Sequence, residues 1–251
     1  MLSLKGRRIV ITRAAHQAES LAAPLRDFGA EVIFLPVIAI GPPADPRPLR
    51  EAARRAAEGE YDWIIFTSTN AVEAIAPLLP ICPRIAAIGP ATRRAAEQHG
   101  FPVTLTPEQY NAESLVEAFG RERLEGRRIL IPSSAIARDT VPLTLANRGA
   151  HVDVVEAYRN VIPPDAAPRA AEVFRDPLPH WVTFASPSAV NNLIELTGPR
   201  ALQTVKIAVI GPTTSECALQ HGLTVTAEAS PSTVEGLVQA IVKYERTKIG
   251  S

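Results

Sequence analysis

The chain has 251 residues, with 26 Lys or Arg and 26 Asp or Glu, so its formal net charge is zero. A dedicated nucleic-acid binder would carry a basic excess, and we therefore expect no nucleic-acid partner. Hydrophobic residues make up 46%, which is enough for a sizeable core. The longest apolar run, residues 32–40, contains Pro36 and is far shorter than the roughly 20 residues that span a membrane, so we expect no membrane association.

Cysteine and histidine give little sign of a metal centre. The two cysteines, Cys82 and Cys217, are too few for a disulfide scaffold or a structural zinc site, and we expect buried thiols. The five histidines lack metal-ligand spacing, so we expect neither metal nor cofactor. His99 and His221 precede helix-ending glycines, where a cation suits the end of a helix. The start of the chain does not resemble a secretion signal, which predicts a cytoplasmic protein.

The chain repeats itself. Residues 6–40 align with 126–160 without gaps, and ten of the 35 pairs are identical. Residues 61–75 resemble 179–194, and 84–101 resemble 206–223. A period of about 120 residues is too long for a solenoid and indicates two copies of one domain.

Within each copy, a short apolar run ends in small polar residues and opens a helix. We predict strands at 8–12, 63–67, 85–88 and 152–158, and helices at 17–28, from 70, and at 91–99. Gly29, Gly100, Gly149 and Gly222 are expected to end helices in the left-handed conformation. Apolar strands that alternate with helices predict parallel sheets. The fold class is therefore α/β, with two flavodoxin-like (Rossmann-like) parallel-sheet domains from an internal duplication.

Proline is enriched, at 23 residues, and is concentrated at 36–48 and 163–179, after the second strand of each copy. Proline-rich stretches form extended, semi-rigid connections. Two such connections predict that the chain crosses between domains twice, through a two-stranded hinge at about 37–41 and 158–163. One domain would then comprise 1–37 and 162–251, and the other 41–158. Prolines also occur in ordinary loops.

The predicted strands end in similar residues. Ligands of open α/β sheets bind beyond the carboxyl ends of the strands. The candidate binding residues at these ends are Thr12, Arg13, Ser68, Asn70, Gly89, Thr92, Ser186, Ser188, Gly211, Thr213 and Thr214, and Ser133 and Ser134 end a further strand. Free backbone N–H groups at the following helix N-termini favour anions. Taken singly, each polar residue is better explained as a helix cap, and the argument for a binding site is the similarity of all six strand ends.

Two further residues are candidates with open alternatives. Tyr158 ends a strand before the second proline cluster, where its hydroxyl would reach a cleft, although packing explains it equally well. Arg13 could pair with a ligand carboxylate or form a surface salt bridge. The pairs Arg7–Arg8 and Arg127–Arg128 flank strand starts, so we expect them to be solvated or in salt bridges.

An ordered set of motifs resembles the uroporphyrinogen-III synthase family. It comprises ITRA near the start, DWIIFTSTNAV at 62–72, AIGPAT at 87–92, GAHVDVVEAYR ending at Arg159, FASPSAV at 184–190 and VIGPTT at 209–214. The resemblance covers residues 6–242, and its specificity lies in the order and spacing.

This resemblance implies two flavodoxin-like domains, one of them discontinuous. It also implies a cofactor-independent lyase of heme biosynthesis, which closes the linear hydroxymethylbilane to uroporphyrinogen III with inversion of ring D and loss of water. Tyr158 matches the family's candidate acid. Ser68, Ser186, Thr92 and Thr214 match family residues expected to bind substrate carboxylates.

The chain departs from the family at two places. Many relatives carry Arg-Gly where this chain has Ser133–Ser134, although Arg138 is retained, and Asn70 stands where some have a basic residue. We expect a monomer that can contact the upstream deaminase transiently. The alternatives are a non-enzymatic two-lobed binding or sensor protein, which normally carries a secretion signal, and a nucleotide-sugar transferase, which would need a nucleotide site that the sequence does not show.

Overall fold

The computed structural model describes residues 3–80, 83–120, 122–135 and 140–249. Its strands are β1 (Arg8–Ile11), β2 (Glu31–Phe34), β3 (Ala39–Gly41), β4 (Trp63–Phe66), β5 (Arg84–Ala87), β6 (Val103–Leu105), β7 (Arg128–Ser134), β8 (His151–Val161), β9 (Trp181–Phe184), β10 (Lys206–Val209) and β11 (Val225–Glu228).

Ten α-helices connect these strands in the described ranges. They are α1 (Ala15–Asp27), α2 (Arg47–Ala57), α3 (Thr69–Ile75), α4 (Pro90–Gln98), α5 (Ala112–Ala118), α6 (Thr140–Asn147), α7 (Ala166–Val173), α8 (Pro187–Thr197), α9 (Pro212–Gln220) and α10 (Val234–Ile249). Short 3₁₀ turns follow α3 at Ala76–Leu78 and α8 at Pro199–Leu202. The strands and helices expected from the repeat are therefore present, with ends that move by one to three residues.

Contacts divide the chain into two units. Unit 1 comprises Met1–Ala39 and Val161–Ser251, and unit 2 comprises Ile40–Asn160. The predicted connecting segments, 37–41 and 158–163, contain β3 and the end of β8, so regular strand occupies part of both. β8 ends at Val161, three residues beyond Tyr158, so its 11 residues exceed the predicted strand at 152–158.

Unit 1 contains a five-stranded sheet in the order β11-β10-β9-β1-β2, with every pair parallel. Renumbered within the unit, this is the order 2-1-3-4-5 read from the other edge, which is the flavodoxin-like arrangement. Unit 2 contains a six-stranded sheet in the order β3-β8-β7-β4-β5-β6. Its pairs from β8 to β6 are parallel and follow the same order once the repeated segments are matched.

Each sheet is buried on both faces. In unit 1, one apolar cluster lies against α1 and α10 and a second lies under α7, α8 and α9. In unit 2, one cluster lies under α2, α3 and α4, and another under α5 and α6. The central strands β4 and β9 are buried at every position, which explains their continuous apolar sequence.

Glycines end several of these helices as expected. Gly29, Gly100, Gly149 and Gly222 have φ angles of 90°, 80°, 85° and 74°. Other residues rarely adopt this left-handed conformation, so the positions of these glycines set where the helices stop.

Candidate active site

Unit 2 carries a cavity of about 430 Å³ at the carboxyl ends of β4, β5 and β7. Apolar side chains, among them Ile88, Ile131 and Val154, form part of its wall. Its polar wall consists of Thr67, Ser68, Tyr110, Asn111, Ser133, Ser134, Thr140 and Tyr158. The one charged residue among the described lining is Glu113. An anionic group would therefore meet hydroxyls, amides and backbone N–H groups rather than cations of the described lining.

A register shift in β8 sets the direction of Tyr158. Ser133 pairs with Glu156, but Ser134 pairs with Tyr158, so Ala157 is an extra residue opposite β7. Side chains of a regular strand alternate between faces, yet Ala157 and Tyr158 both pack against the same core cluster. Bulges commonly redirect a side chain next to a site in this way. Tyr158 is half-buried, and it lines the cavity.

Ser68 joins the end of β4 to the start of α3. Its backbone is extended, and its Oγ accepts the N–H of Ala71 at 3.1 Å, so the serine is the cap of this helix. The same Oγ lies 3.0 Å from the Tyr158 hydroxyl oxygen. The cap interpretation is therefore confirmed for Ser68, and the serine also contacts the candidate acid.

Asn70 follows two residues later on α3 and is half-buried. It lines a second cavity of about 380 Å³, which is bordered mainly by apolar and proline residues between α2, α3 and β3. Tyr158 lines this second cavity as well. Its ring therefore stands between two cavities of unit 2, and its hydroxyl contacts Ser68.

Gly89 is the cap residue of α4 and offers no side-chain acceptor. A Cβ at Gly89 would lie 3.3 Å from the Cβ of Tyr110, so the glycine permits the close approach of that tyrosine. Tyr110 itself is 64% exposed and lines the cavity. Thr92, on the first turn of α4, is 5% exposed.

The matching ends in unit 1 have the same local structure. The Oγ of Ser186 accepts the N–H of Ala189 at 3.3 Å and caps α8, which confirms the cap interpretation there. Gly211 is the cap residue of α9 and, like Gly89, offers no side-chain acceptor. Ser188 and Thr213 are exposed on the first turns of α8 and α9, whereas Thr214 is buried.

Thr12 requires a correction. Its side chain is fully buried, and its Oγ1 donates to the carbonyl of Thr183 at 2.8 Å. The Thr183 hydroxyl in turn donates to the carbonyl of Val10 at 2.9 Å. The prediction that the Thr12 side chain binds substrate is therefore wrong for this structure, because its hydroxyl bonds to the neighbouring strand.

Arg13, the residue after Thr12, has a guanidinium nitrogen that, among the described residues, is free to bind an anion. Its Nη2 donates to Oε1 of Gln17 at 3.3 Å. Its Nη1 is buried without a hydrogen-bond partner in the described residues. A buried donor that lacks an acceptor is costly, and a carboxylate ligand would remove that cost.

The arginine pairs at the strand starts form salt bridges, as expected. Arg127 Nη1 lies 2.6 Å from Asp62 Oδ1, and Arg7 Nε lies 2.7 Å from Glu245 Oε2. At the same end of unit 2, Tyr61 donates to Asp153 at 2.6 Å. Burial and this hydrogen bond raise the pKa of Tyr61. Burial alone would raise the pKa of Asp153, but hydrogen bonds from Tyr61 and Arg55 outweigh it and lower that pKa.

Other expectations have mixed outcomes. Cys217 is half-buried rather than buried, and its thiol lies 3.4 Å from Asn191 Oδ1. Burial raises the pKa of this thiol. His99 and His221 do end α4 and α9, and their Nε2 atoms contact Glu73 and Asn191. Cys82 and Arg138 lie outside the described residues.

Sequence reasoning missed Tyr110 and Asn111 as cavity residues. Asn111 caps α5 by accepting the N–H of Ser114 at 2.8 Å, and a polar residue before an amphipathic run was its signal. A lone tyrosine in a turn carries no comparable signal. Within the described ranges, no group of three His, Cys, Asp or Glu side chains could hold a metal ion. In those ranges no helix is long and apolar enough to cross a membrane.

Each unit is an α/β unit with a parallel sheet in the flavodoxin-like strand order, and hydroxyl side chains follow the ends of its strands. The chain is therefore a protein of the α/β class. A family model described as Uroporphyrinogen-III synthase HemD matches residues 19–239, and the chain belongs to that family. It is 34% identical over 259 residues to the uroporphyrinogen-III synthase of Synechococcus elongatus, covering 97% of each chain.

Solved structures support the fold. The chain is similar to the uroporphyrinogen-III synthetase of Helicobacter pylori, with a TM-score of 0.56, 17% identity and coverage of 94% and 99% of the two chains. It is also similar to a mutant uroporphyrinogen III synthase of Thermus thermophilus, with a TM-score of 0.54, 19% identity and coverage of 96% and 100%.

Proposed function

We propose that this protein is a uroporphyrinogen-III synthase, a cofactor-independent lyase that closes hydroxymethylbilane to uroporphyrinogen III. The observation that carries the proposal is the family match across residues 19–239. The Tyr158 hydroxyl beside Ser68 at the cavity of unit 2 supports it, because the family's candidate acid is at this position.

Tyr158 is the proposed general acid. The phenol proton moves to the hydroxyl oxygen on the terminal hydroxymethyl group, the carbon–oxygen bond breaks, and water leaves with the bonding pair. The resulting protonated azafulvene is attacked by ring D at its substituted carbon, which gives a spiro intermediate. The bond from ring D to its original bridging carbon then breaks, and that carbon bonds to the free α-carbon of ring D, so that the ring is inverted. The proton released on closure returns to the tyrosinate. General acid catalysis of this kind accelerates a reaction by roughly 10²–10⁴-fold.

Positioning accounts for the rest of the specificity, because the unassisted bilane closes without inversion to isomer I. The proposed carboxylate contacts are the first turns of α4 and α9, whose cap residues Gly89 and Gly211 offer no side-chain acceptor. No cap side chain therefore uses the backbone N–H groups of these turns, and they are proposed to meet an anion. Arg13 contributes the buried, unpaired Nη1. The remaining proposed contacts are Asn70, Thr92, Ser186, Ser188, Thr213 and Thr214.

The test generates hydroxymethylbilane in situ with a deaminase, adds the protein, oxidises the products and separates the isomers by chromatography. We expect isomer III in the presence of the protein and isomer I without it. If isomer I alone forms at every protein concentration, including with excess deaminase, the proposed function is wrong.

We also propose that the two units descend from an internal duplication and that the connecting segments act as a hinge. Scattering with and without product tests the hinge, since closure would reduce the radius of gyration. The protein is proposed to act as a cytoplasmic monomer that contacts the deaminase transiently. Sedimentation of the protein alone and with deaminase tests the oligomeric state and the contact.

A further inference from the structure

The Ser68 hydroxyl has two neighbours, the N–H of Ala71 and the hydroxyl of Tyr158. We propose that Ser68 is a positioning residue, which donates its proton to the Tyr158 oxygen and so directs the phenol's own proton toward the substrate. This inference rests on the proposed function. It differs from the sequence expectation, in which Ser68 binds a substrate carboxylate.

The cap fixes where the Ser68 oxygen lies. Its Oγ accepts from Ala71 at 3.1 Å, which uses one acceptor position and holds the side chain against the first turn of α3. A serine hydroxyl has one proton to donate. The Tyr158 oxygen, 3.0 Å away, is the side-chain neighbour in position to accept it.

The Tyr158 ring is held on one side by the core of unit 2. The shifted register of β8 turns it toward the core cluster of unit 2, where it packs beside Ala157. Rotation about the phenolic C–O bond therefore decides where the acidic proton points. If Tyr158 donated to Ser68, that proton would be held by the serine oxygen and would not be available to a ligand in the cavity. Donation by Ser68 leaves the phenol proton available to a leaving hydroxyl, which is the orientation that an acid needs.

Unit 1 shows a cap like that of Ser68 without the tyrosine contact. Ser186 occupies the corresponding strand end and caps α8 through Ala189 at 3.3 Å. The gapless alignment places Ile38 at the position that corresponds to Tyr158. A serine at this strand end therefore caps a helix without a tyrosine partner, so the Tyr158 contact is additional to the cap.

A double-mutant cycle tests the inference, with turnover of hydroxymethylbilane to isomer III as the readout. We expect Ser68→Ala to lower kcat about three- to ten-fold, the range of one neutral hydrogen bond, with little change in KM. In the Tyr158→Phe background, Ser68→Ala should cause no further loss of kcat. Ser68→Thr, which keeps the hydroxyl and the cap, should restore most of the rate.

Thr233→Ala is the matched control for the lost cap. Thr233 Oγ1 accepts the N–H of Gly236 at 3.0 Å at the start of α10, in unit 1. This variant and Ser68→Ala should both lower Tm by about a few degrees, whereas Thr233→Ala should leave kcat unchanged.

Three outcomes overturn the inference. Equal losses of kcat from Ser68→Ala with and without the Tyr158 hydroxyl would show that the serine does not act through the tyrosine. A rise in KM alone would favour a carboxylate contact instead. If the unmodified protein yields isomer I alone, the proposed function fails and the inference falls with it. If the unmodified protein yields isomer III but the kcat losses from Ser68→Ala and Tyr158→Phe are additive, the positioning role is wrong and the proposed function stands.

Discussion

The indole nitrogen of Trp181 donates to Oε1 of Glu245 at 2.9 Å, which ties the first residue of β9 to the last turns of α10. The Glu245 side chain is fully buried, and Lys206 and Arg7 also contact it. Burial alone raises the pKa of Glu245, but hydrogen bonds from Lys206 and Trp181, together with the charge of Arg7, outweigh it and hold that pKa below its ordinary value.

Glu245→Gln should destabilise the protein by about 2–3 kcal/mol. Removing one partner of a fully buried pair costs about 3–5 kcal/mol, and the two cations here are about one-third exposed, which reduces the cost. Urea unfolding of the full chain measures the change in the free energy of unfolding. Glu235→Gln, on the exposed first turn of the same helix, is the control and should change stability little.

Low pH should remove the stabilisation that the Glu245 carboxylate provides. Because the folded-state pKa of Glu245 is lowered, its stabilisation is present above the ordinary carboxyl pKa of 4.5 and is lost as the pH falls through the folded-state value. Unfolding free energies measured from pH 7 downward should therefore decline below about pH 4.5 less steeply in Glu245→Gln than in the unmodified protein. Identical slopes would show that Glu245 does not titrate with folding.

Tyr158→Phe should slow turnover by about 10²-fold or more while isomer III remains detectable, because positioning persists without the acid. The chromatographic isomer assay measures both rate and product. Tyr244→Phe is the control, since Tyr244 packs against Trp181 in unit 1 and is not among the residues that line the cavity of unit 2. Complete inactivity of a folded Tyr158→Phe protein would contradict the positioning mechanism.

Gly236→Ala should destabilise unit 1 by about 1–3 kcal/mol, the range for an overpacked site. A Cβ at Gly236 would lie 2.0 Å from the carbonyl oxygen of Pro231, and a backbone atom cannot move aside cheaply. Thermal unfolding measures the loss. Gln239→Ala, exposed on the same helix, should leave Tm nearly unchanged.

Thr12→Val should lower the free energy of unfolding by about 1 kcal/mol, because the hydrogen bond to the Thr183 carbonyl is lost from a buried site. The KM for hydroxymethylbilane should stay the same. A raised KM with little loss of stability would restore Thr12 to the substrate contacts.

Local pattern was enough to predict much of the fold. The apolar strand at 63–67 and the polar residues after it indicated β4 and the cap at Ser68, because a buried parallel strand and a helix start each depend on neighbouring residues. The glycines at 29 and 149 likewise marked helix ends through their own conformation.

Features that depend on distant contacts could not be predicted. The direction of Tyr158 follows from a register shift against β7, which alternation along β8 does not reveal. Thr12 looked like other strand-end hydroxyls, but β9 supplies its acceptor from a residue 171 positions away. Glu245 lies in a charged stretch that is typical of a solvent-exposed helix face, but its side chain contacts Trp181 of β9, Lys206 of β10 and Arg7 just before β1.

The pairing of β1 with β9 has a consequence for the order in which the protein forms on the ribosome. Ile9 pairs with Trp181, so the first strand made must wait for the central strand of its sheet. Unit 2 is one continuous segment, Ile40–Asn160, and all its strands are synthesised before β9. Domains fold as units during synthesis. The nascent chain therefore completes unit 2 before unit 1, although unit 1 contains the N-terminus. β1 and β2 remain without their central partner until β9 is synthesised, in the last third of the protein.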